Sequence, residues 1–318
     1  MQFELDLIHW LQSFRSDFLD FFFQLWTVFG EELVIIAILG FLYWCYNKKI
    51  GEAIGITVFI SLVTNSLIKA IVMRPRPFVV DQGIANIRPS TAPGYAFPSG
   101  HTQGAATTFG SLAIWLKKRW ITICSVIIIV MVAISRMYLG VHYLTDVLAG
   151  AALAIGIAFL MHFIFKRVPD HDRLYRIILI GFSVAMLVTW VVSLFTVQAT
   201  PDETNALRLY VQLEGLAKMY GAIVGFAIGL IVEHRKINFE NHQVLWKNIV
   251  RMVVGVALVM GIRLVLKALF GLIINPEELN EGQLFASSIA VLFDLLRYFA
   301  MVFVAIGVYP YFFKKFNL

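Results

Sequence analysis

Apolar residues gather along this chain into long stretches separated by short polar breaks. A helix crossing a bilayer core needs about 20 predominantly apolar residues. Runs of that kind fall near residues 32–46, 51–73, 99–117, 119–138, 142–166, 173–197, 212–233, 246–273 and 284–313. The first is short, so either the membrane thins there or its helix begins earlier. Residues 5–29 are apolar but carry Arg15, Asp17 and Asp20, which predicts an interfacial amphipathic helix, with a tenth span as the alternative. The predicted fold class is all-α, a polytopic transmembrane helix bundle of about nine spans.

Composition agrees with this pattern. Of the 318 residues 59% are hydrophobic and 14% charged, and the mean hydropathy is +0.79, too apolar for a soluble globular domain. The formal charge of +6 raises nucleic acid as a partner. However, the basic residues sit in small clusters between apolar runs, as in cytoplasmic loops, so nucleic-acid binding is not expected. Lys48-Lys49, Lys117-Lys118-Arg119, Lys166-Arg167, Arg235-Lys236 and Lys314-Lys315 all fall on one side of a nine-span chain. That side is expected to be cytoplasmic. The opposite side receives the 74–98 loop, the 138–142 turn, an acidic loop at 199–206 with Asp202 and Glu203, and another at 275–282 with Glu277, Glu278 and Glu281. Cys45 and Cys124 lie inside apolar runs, which argues against a disulfide framework. Residues 1–10 carry Glu4 and Asp6 and lack a basic start, which argues against a cleaved signal peptide.

Within this apolar background stand three short polar clusters. Lys69 is followed by Arg76-Pro77, then comes Pro98-Ser99-Gly100-His101, then Ser135-Arg136 with His142 and Asp146. His142 and Asp146 are four apart and share a helix face, so the carboxylate can hold one imidazole nitrogen and leave the other as a nucleophile. Ser99 reads as an N-cap behind Pro98, and the N–H groups of a helix start suit an anion, so a phosphate oxygen is expected on the Ser99-Gly100 backbone. His101, one residue on, is placed to act as a general acid. Lys69 near a span end needs a pocket or must snorkel. Arg76 and Arg136 suit bidentate phosphate recognition. Arg74 is a candidate fourth phosphate contact, with a position facing solvent or lipid head groups as the favoured reading. The loop between Arg74 and Pro98 holds five of the nine prolines and resists regular structure. All three clusters meet at the side expected to be extracytoplasmic.

Lys-x6-Arg-Pro, Pro-Ser-Gly-His and Ser-Arg-x5-His-x3-Asp occur in order, as Lys69 to Pro77, Pro98 to His101 and Ser135 to Asp146. They resemble the tripartite signature of the type 2 phosphatidic acid phosphatase (PAP2) superfamily, which also includes glucose-6-phosphatases and vanadium haloperoxidases. The resemblance covers roughly residues 31 to 198. It implies that His142 attacks phosphorus and forms a phosphohistidine, with Asp146 orienting it. It further implies that Lys69, Arg76, Arg136, Ser99 and the Gly100 N–H hold the phosphate oxygens. His101 would protonate the leaving group and then activate water. No metal and no cofactor is implied, and no His-Glu-x2-His spacing is present.

The chain therefore divides into an interfacial segment (1–30), a PAP2-like catalytic core (31–198) and a C-terminal transmembrane extension (199–318) without an assigned role. In that extension Glu214, Lys218, Arg251, Arg263, Lys267, Asp294 and Arg297 fall inside apolar runs. Structural pairing, for example of Arg263 with Asp294, or an accessory packing or dimer role is expected for them. His9, His162, His171, His234 and His242 read as interfacial or loop residues. The expected activity is a multi-pass cell-membrane lipid-phosphate phosphatase with its site on the extracytoplasmic face. Candidate substrates are a polyprenyl pyrophosphate, phosphatidate, phosphatidylglycerophosphate or a sphingoid-base phosphate. The partners are that substrate and the membrane, with a homo-oligomer left open. A sugar phosphatase is the alternative, followed by a haloperoxidase-like oxidoreductase or a lipid transporter.

Overall fold

A computed structural model describes residues 2–88, 92, 94–199, 205–279 and 283–318, without the side chains of 196–199, 205–208 and 277. Asp202, Glu203 and Glu281, expected in two acidic loops, lie outside the described residues. Among the described residues 83% are helical and none is in a strand, so the chain is all-α. In chain order the helices are α1 (Gln2–Ser13), α2 (Asp17–Thr27), α3 (Glu32–Phe41), α4 (Lys48–Val72), the short α5 (Pro77–Val80), α6 (Gly100–Leu116), α7 (Arg119–Tyr138) and α8 (Leu144–Arg167). They continue with α9 (His171–Ala199), α10 (Asn205–Val232), α11 (Leu245–Gly271), α12 (Leu284–Phe303) and α13 (Tyr309–Lys315).

Seven helical stretches are long and apolar enough to cross a membrane, and an eighth arises if a bent pair counts as one span. That pair, Asp17–Gly30 and Glu32–Tyr46, meets at 48°. Counted as one span, the pair gives the short first run its missing length through an earlier start. The bend follows a 3-10 turn at Val28–Gly30, after which Glu31 is extended and cannot continue the helix. With α6, 17 residues long, these give the nine helical segments expected among the described residues. The N-terminal segment is two helices where the sequence suggested one. Ser16 caps α2 by accepting from the Leu19 N–H, and Asp17 and Asp20 favour the positive end of that helix.

The chain folds as two compact units, one of residues 1–39 and 53–167, the other of residues 40–52 and 168–318. The first unit thus ends at Arg167, and α9 belongs to the second. In the first unit α6 is the central element, with every residue from Thr102 to Ser111 buried. Two of its polar members, Gln103 and Thr107, are satisfied across the α4 seam. Gln103 Nε2 donates to the Ser61 carbonyl and hydroxyl, Thr107 Oγ1 donates to Ser61 Oγ, and Asn65 Nδ2 donates to Gln103 Oε1. A buried amide left without such partners would cost about 1–3 kcal/mol, so this seam fixes the register of α6 against α4. Asn65 also donates to the Pro98 carbonyl at 3.2 Å, which ties the start of α6 to the same seam. Gly150 lets α8 approach: a Cβ there would lie 2.8 Å from the Ser99 carbonyl.

In the second unit α10 and α12 pack through glycines, a small-residue contact of the membrane kind. A Cβ on Gly221 would meet the Leu295 carbonyl at 2.1 Å, and one on Gly225 the Phe299 carbonyl at 2.5 Å. Four of the apolar-run charges of this unit, Glu214, Lys218, Asp294 and Arg297, are paired with one another. Lys218 lies 2.8 Å from Glu214 and 3.7 Å from Asp294, Arg297 also pairs with Asp294, and Tyr210 donates to Asp294 at 2.9 Å. Buried Arg251 donates to the carbonyls of Trp44, Glu240 and Leu318 and stacks on the Phe313 ring. Pairing of this kind lowers the cost of holding charge in an apolar setting.

Candidate active site

The three polar clusters, spread over 77 positions from Lys69 to Asp146 in sequence, converge in the first unit at one end of α6, α7 and α8. Two turns bring them there. Between α7 and α8 the chain reverses at Gly140, whose φ of +75° favours glycine, and a Cβ there would sit 2.3 Å from the Ala85 carbonyl. The Val141 and His142 N–H groups return to the Arg136 carbonyl, so the loop is closed onto the end of α7. The second turn is Pro98-Ser99, where the Ser99 N–H donates to the Asp146 carbonyl at 3.0 Å and so joins the start of α6 to the start of α8.

His142 is buried, and its two ring nitrogens meet opposite environments. Arg76 Nη1 lies 3.2 Å from Nε2, and because a guanidinium only donates, Nε2 presents its lone pair. Nδ1 then carries the proton, 3.4 Å from Asp146 Oδ2. This is the tautomer a nucleophilic Nε2 requires. Burial above all, then the Arg76, Lys69 and Arg136 cations, hold the His142 imidazole well below its usual 6.5, so it is neutral at physiological pH.

Asp146 is fixed by more than His142. Its Oδ2 accepts from the Tyr143 N–H at 2.9 Å, and its Oδ1 pairs with Arg74 Nη1 at 2.7 Å. Arg74 therefore does not face solvent or head groups as the sequence suggested. Its other nitrogen pairs with Glu4 at 2.8 Å, Nη1 also donates to Thr145 Oγ1, and the guanidinium lies over the Tyr143 ring. Glu4 Oε1 in turn accepts from the Thr145 N–H at 2.9 Å and its hydroxyl at 2.7 Å. Helix α1 thus closes the Arg74–Asp146–Thr145 network from outside the three motifs. The sequence offers Glu4 and Asp6 alike on this helix and does not single out Glu4.

The remaining motif residues are placed as follows. Arg76 is buried and anchored by its Nε to the Gly94 carbonyl and by Nη1 to that of Val141. Lys69 Nζ donates to the Tyr95 carbonyl at 2.7 Å. Arg136 is fully buried and donates to Thr27 Oγ1 at 2.9 Å. Ser99 is buried and caps α6, with its hydroxyl 3.0 Å from that of Thr102. Its N–H serves Asp146, which differs from the expectation of a free amide for phosphate, and Gly100 opens the helix as the first N–H after it. His101 stands within electrostatic reach of His142, Arg136, Arg76 and Lys69. Its Nε2 is buried with no hydrogen-bond partner among the described residues. A buried polar nitrogen left open next to several cations is a place for an anion or its leaving group. Arg88, in the proline-rich loop, is a cation the motif reading missed. It pairs with Glu31 at 2.5 Å and acts electrostatically on His101 and Arg136.

Among the described residues, one group elsewhere has metal-ligand types in reach of each other. Glu52, Glu233 and His234 of the second unit place ligand atoms within 4.8 Å. Lys48 lies 2.5 Å from Glu233 and His234 3.0 Å from Glu52, so the carboxylates have counter-charges of their own.

Comparison with known proteins joins this geometry to a family. The PAP2 superfamily profile matches residues 51–170, and the profile described as a PAP2 superfamily phosphatase transmembrane extension matches residues 217–318. An undecaprenyl-diphosphatase of Bacillus subtilis is 34% identical over 48% of this chain and 78% of its own length. The chain belongs to the PAP2 superfamily. A lipid A 4'-phosphatase of Bacteroides thetaiotaomicron is 30% identical over 51% of this chain and 76% of its own length. The phosphatidylglycerophosphatase B of Bacillus subtilis is 37% identical over 26% of this chain, which spans about half (48%) of that relative's length. The PAP2 match contains all three motifs, and the extension match contains Lys218, Asp294 and Arg297 of the paired charges.

Proposed function

We propose that this PAP2 protein is an integral-membrane lipid-phosphate phosphatase. The observation that carries the reading is the His142 ring, with Arg76 on Nε2 and Asp146 on Nδ1, beside an open His101 nitrogen. In the proposed first step His142 Nε2 attacks phosphorus while the bond from phosphorus to the ester or anhydride oxygen breaks. His101 gives its proton to that oxygen. In the second step His101 takes a proton from water, the water oxygen attacks phosphorus, and the bond from phosphorus to Nε2 breaks. Lys69, Arg76 and Arg136 hold the equatorial oxygens and balance the charge that develops on them. The Gly100 N–H and the Ser99 turn supply the helix-start contact. An arriving phosphate anion also favours the protonated form of His101, which is the form the first step needs. No step requires a metal.

The substrate class follows from chemistry and setting. The relatives' substrates named above are lipids with a phosphomonoester or a pyrophosphate, and a head group on a membrane-embedded tail reaches a site at helix ends by lateral entry. The distribution of loop lysines and arginines supports an extracytoplasmic position for that site. Residues 31–198 supply the reaction and residues 199–318 an accessory membrane part. Phosphate release from purified protein across polyprenyl pyrophosphate, phosphatidate, phosphatidylglycerophosphate, sphingoid-base phosphate and glucose 6-phosphate tests the reading, with EDTA present. Release from a lipid phosphate is expected, and His142→Ala, His101→Ala and Arg136→Ala are each expected to abolish it. Release from the sugar phosphate alone, or full activity of the His142 variant, would overturn it.

A further inference from the structure

At the end of the first unit remote from the catalytic residues, α6, α7 and α8 part to leave a cavity of about 430 Å³. Its walls are apolar, with Ile129, Ile155 and Phe159 among them, and it reaches Lys117 and His162 at one end. Lys117 is 17 residues along α6 from Gly100, roughly 25 Å at the helical rise. This is therefore a different place from the phosphate cup. Phe159 is 59% exposed and Val126 is 55% exposed, so the cavity opens sideways, toward where lipid lies, as a groove.

Polar features cluster at one end only. Lys117, Lys118 and Arg119 close α6 and open α7, and Lys166 and Arg167 close α8, all of them exposed. Lys117 and Lys166 both act electrostatically on His162. His162 packs edge-on against Trp115, and its Nδ1 is buried with no hydrogen-bond partner among the described residues. No acidic residue occurs in 115–119 or 162–167, and the nearest acids beyond them, Asp170 and Asp172, are engaged with the Arg173 N–H and with His234 and Arg235 respectively. An apolar slot ending at an uncompensated basic rim matches one chemistry, an acyl chain joined to an anionic head group. Basic pockets between transmembrane helices on the cytoplasmic side bind anionic phospholipids in this way, and the basic loops mark this end as the cytoplasmic one.

We infer that the α6–α7–α8 groove is a binding site for an anionic phospholipid of the inner leaflet, with its chain along Ile129, Ile155 and Phe159 and its phosphate at Lys117 and Lys166. The site is separate from catalysis and does not depend on which substrate the phosphate cup takes. The lipid would fill a void between three helices that also carry the catalytic motifs at their other ends, and so hold their spacing.

The test uses the full chain in phosphatidylcholine vesicles containing trace phosphatidylglycerol or phosphatidylcholine with a photoactivatable group in the acyl chain. After illumination, labelled peptides are mapped by mass spectrometry. The phosphatidylglycerol probe is expected to label the peptides around Ile129 and Ile155 in preference to lipid-facing α9 residues such as Ile180 and Leu187, which are 65% exposed. It should also label them more than the phosphatidylcholine probe does. Lys117→Gln and Lys166→Gln, both exposed positions, should each reduce that preference about fivefold, as expected for one cation near an anionic head group. Ile155→Trp should displace the chain and lower labelling by either probe. Monodisperse elution and an unchanged melting temperature serve as the folding control, read on the lysine variants if the tryptophan variant fails it. Equal labelling of groove and α9 by both probes, or a preference unchanged in the two lysine variants, would overturn the inference.

Discussion

At the scale of single residues, a pair of bonds decides what the site can do: one cation fixes the lone pair of His142 and one carboxylate fixes its proton. Arg74 acts through that carboxylate and is a positioning residue, since it touches Asp146, Glu4 and Thr145 and not the ring. Arg74→Lys keeps a positive charge but cannot span Asp146 and Glu4 together. It is expected to lower kcat by about tenfold to a hundredfold, the equivalent of one charge-assisted hydrogen bond of about 1.5–3 kcal/mol, while KM moves less than threefold. Arg74→Gln should lower kcat further. An equal rise in KM and fall in kcat/KM, with kcat unchanged, would instead make Arg74 a substrate contact. The motif residues themselves were legible because their chemistry is written in short spacings, such as four residues from His142 to Asp146. Arg74 was misjudged because its partners Glu4 and Asp146 are 70 and 72 positions away. Arg88 was missed for the same reason, with Glu31 57 positions distant and no motif to flag either.

At the scale of elements, α1 behaves as a clasp on the catalytic loops. Its inner face buries Leu5 and Ile8 against Ile84, Ala96 and Tyr143, and Gln12 donates to the Ala85 and Tyr138 carbonyls. Its outer face leaves Phe3 and Trp10 exposed, as an interfacial helix requires. The apolar pattern predicted that outer face, but the inner one depends on loops 70 to 140 residues away and was not readable. Glu4 fastens the clasp. Burial pushes its carboxyl up, but the amide and hydroxyl of Thr145 and the Arg74 guanidinium outweigh that and hold it below its usual 4.5. For a carboxyl whose folded pKa is depressed, the stabilisation is complete above the ordinary pKa and is lost as pH falls through the folded value. The clasp is therefore expected to hold at neutral pH and to loosen only below pH 4.5. Hydrogen exchange of the 2–13 and 143–147 peptides, corrected for intrinsic pH dependence, checks this. Glu4→Gln should show the acid-like exchange already at pH 7. Exchange that rises instead between pH 8 and pH 6 would assign the fastening to another group.

At the scale of the whole molecule, the number of helical segments sets which loops share a side. Nine segments put the turn before α4, and those of α6–α7, α8–α9, α10–α11 and after α12, on one side, which gathers Lys48, Lys49, Lys117, Lys118, Arg119, Lys166, Arg167, Arg235, Lys236, Lys314 and Lys315 there. The bent α2–α3 pair and the 17-residue α6 are the segments on which this count depends, since both are marginal as spans by length or straightness. Losing α6 would put Lys48 and Lys49 on one side and the other nine cations on the opposite one, against the rule that cytoplasmic loops collect them, whereas losing the bent pair would leave all eleven together and move only the N-terminus. A cysteine placed at Gln82 or Asn86, on a background with Cys45 and Cys124 replaced by serine, checks the count. It is expected to react with an impermeant maleimide added to intact cells, while a cysteine at Lys118 reacts only after lysis. The opposite pattern would place the phosphate cup on the cytoplasmic face and the α6–α7–α8 groove in the outer leaflet. Labelling of both positions from outside would show that α6 does not cross at all. Because His101, the proposed general acid, lies at one end of α6 and Lys117 at the other, this single pair of positions decides the side of the proposed chemistry and the continuity of the helix that carries it.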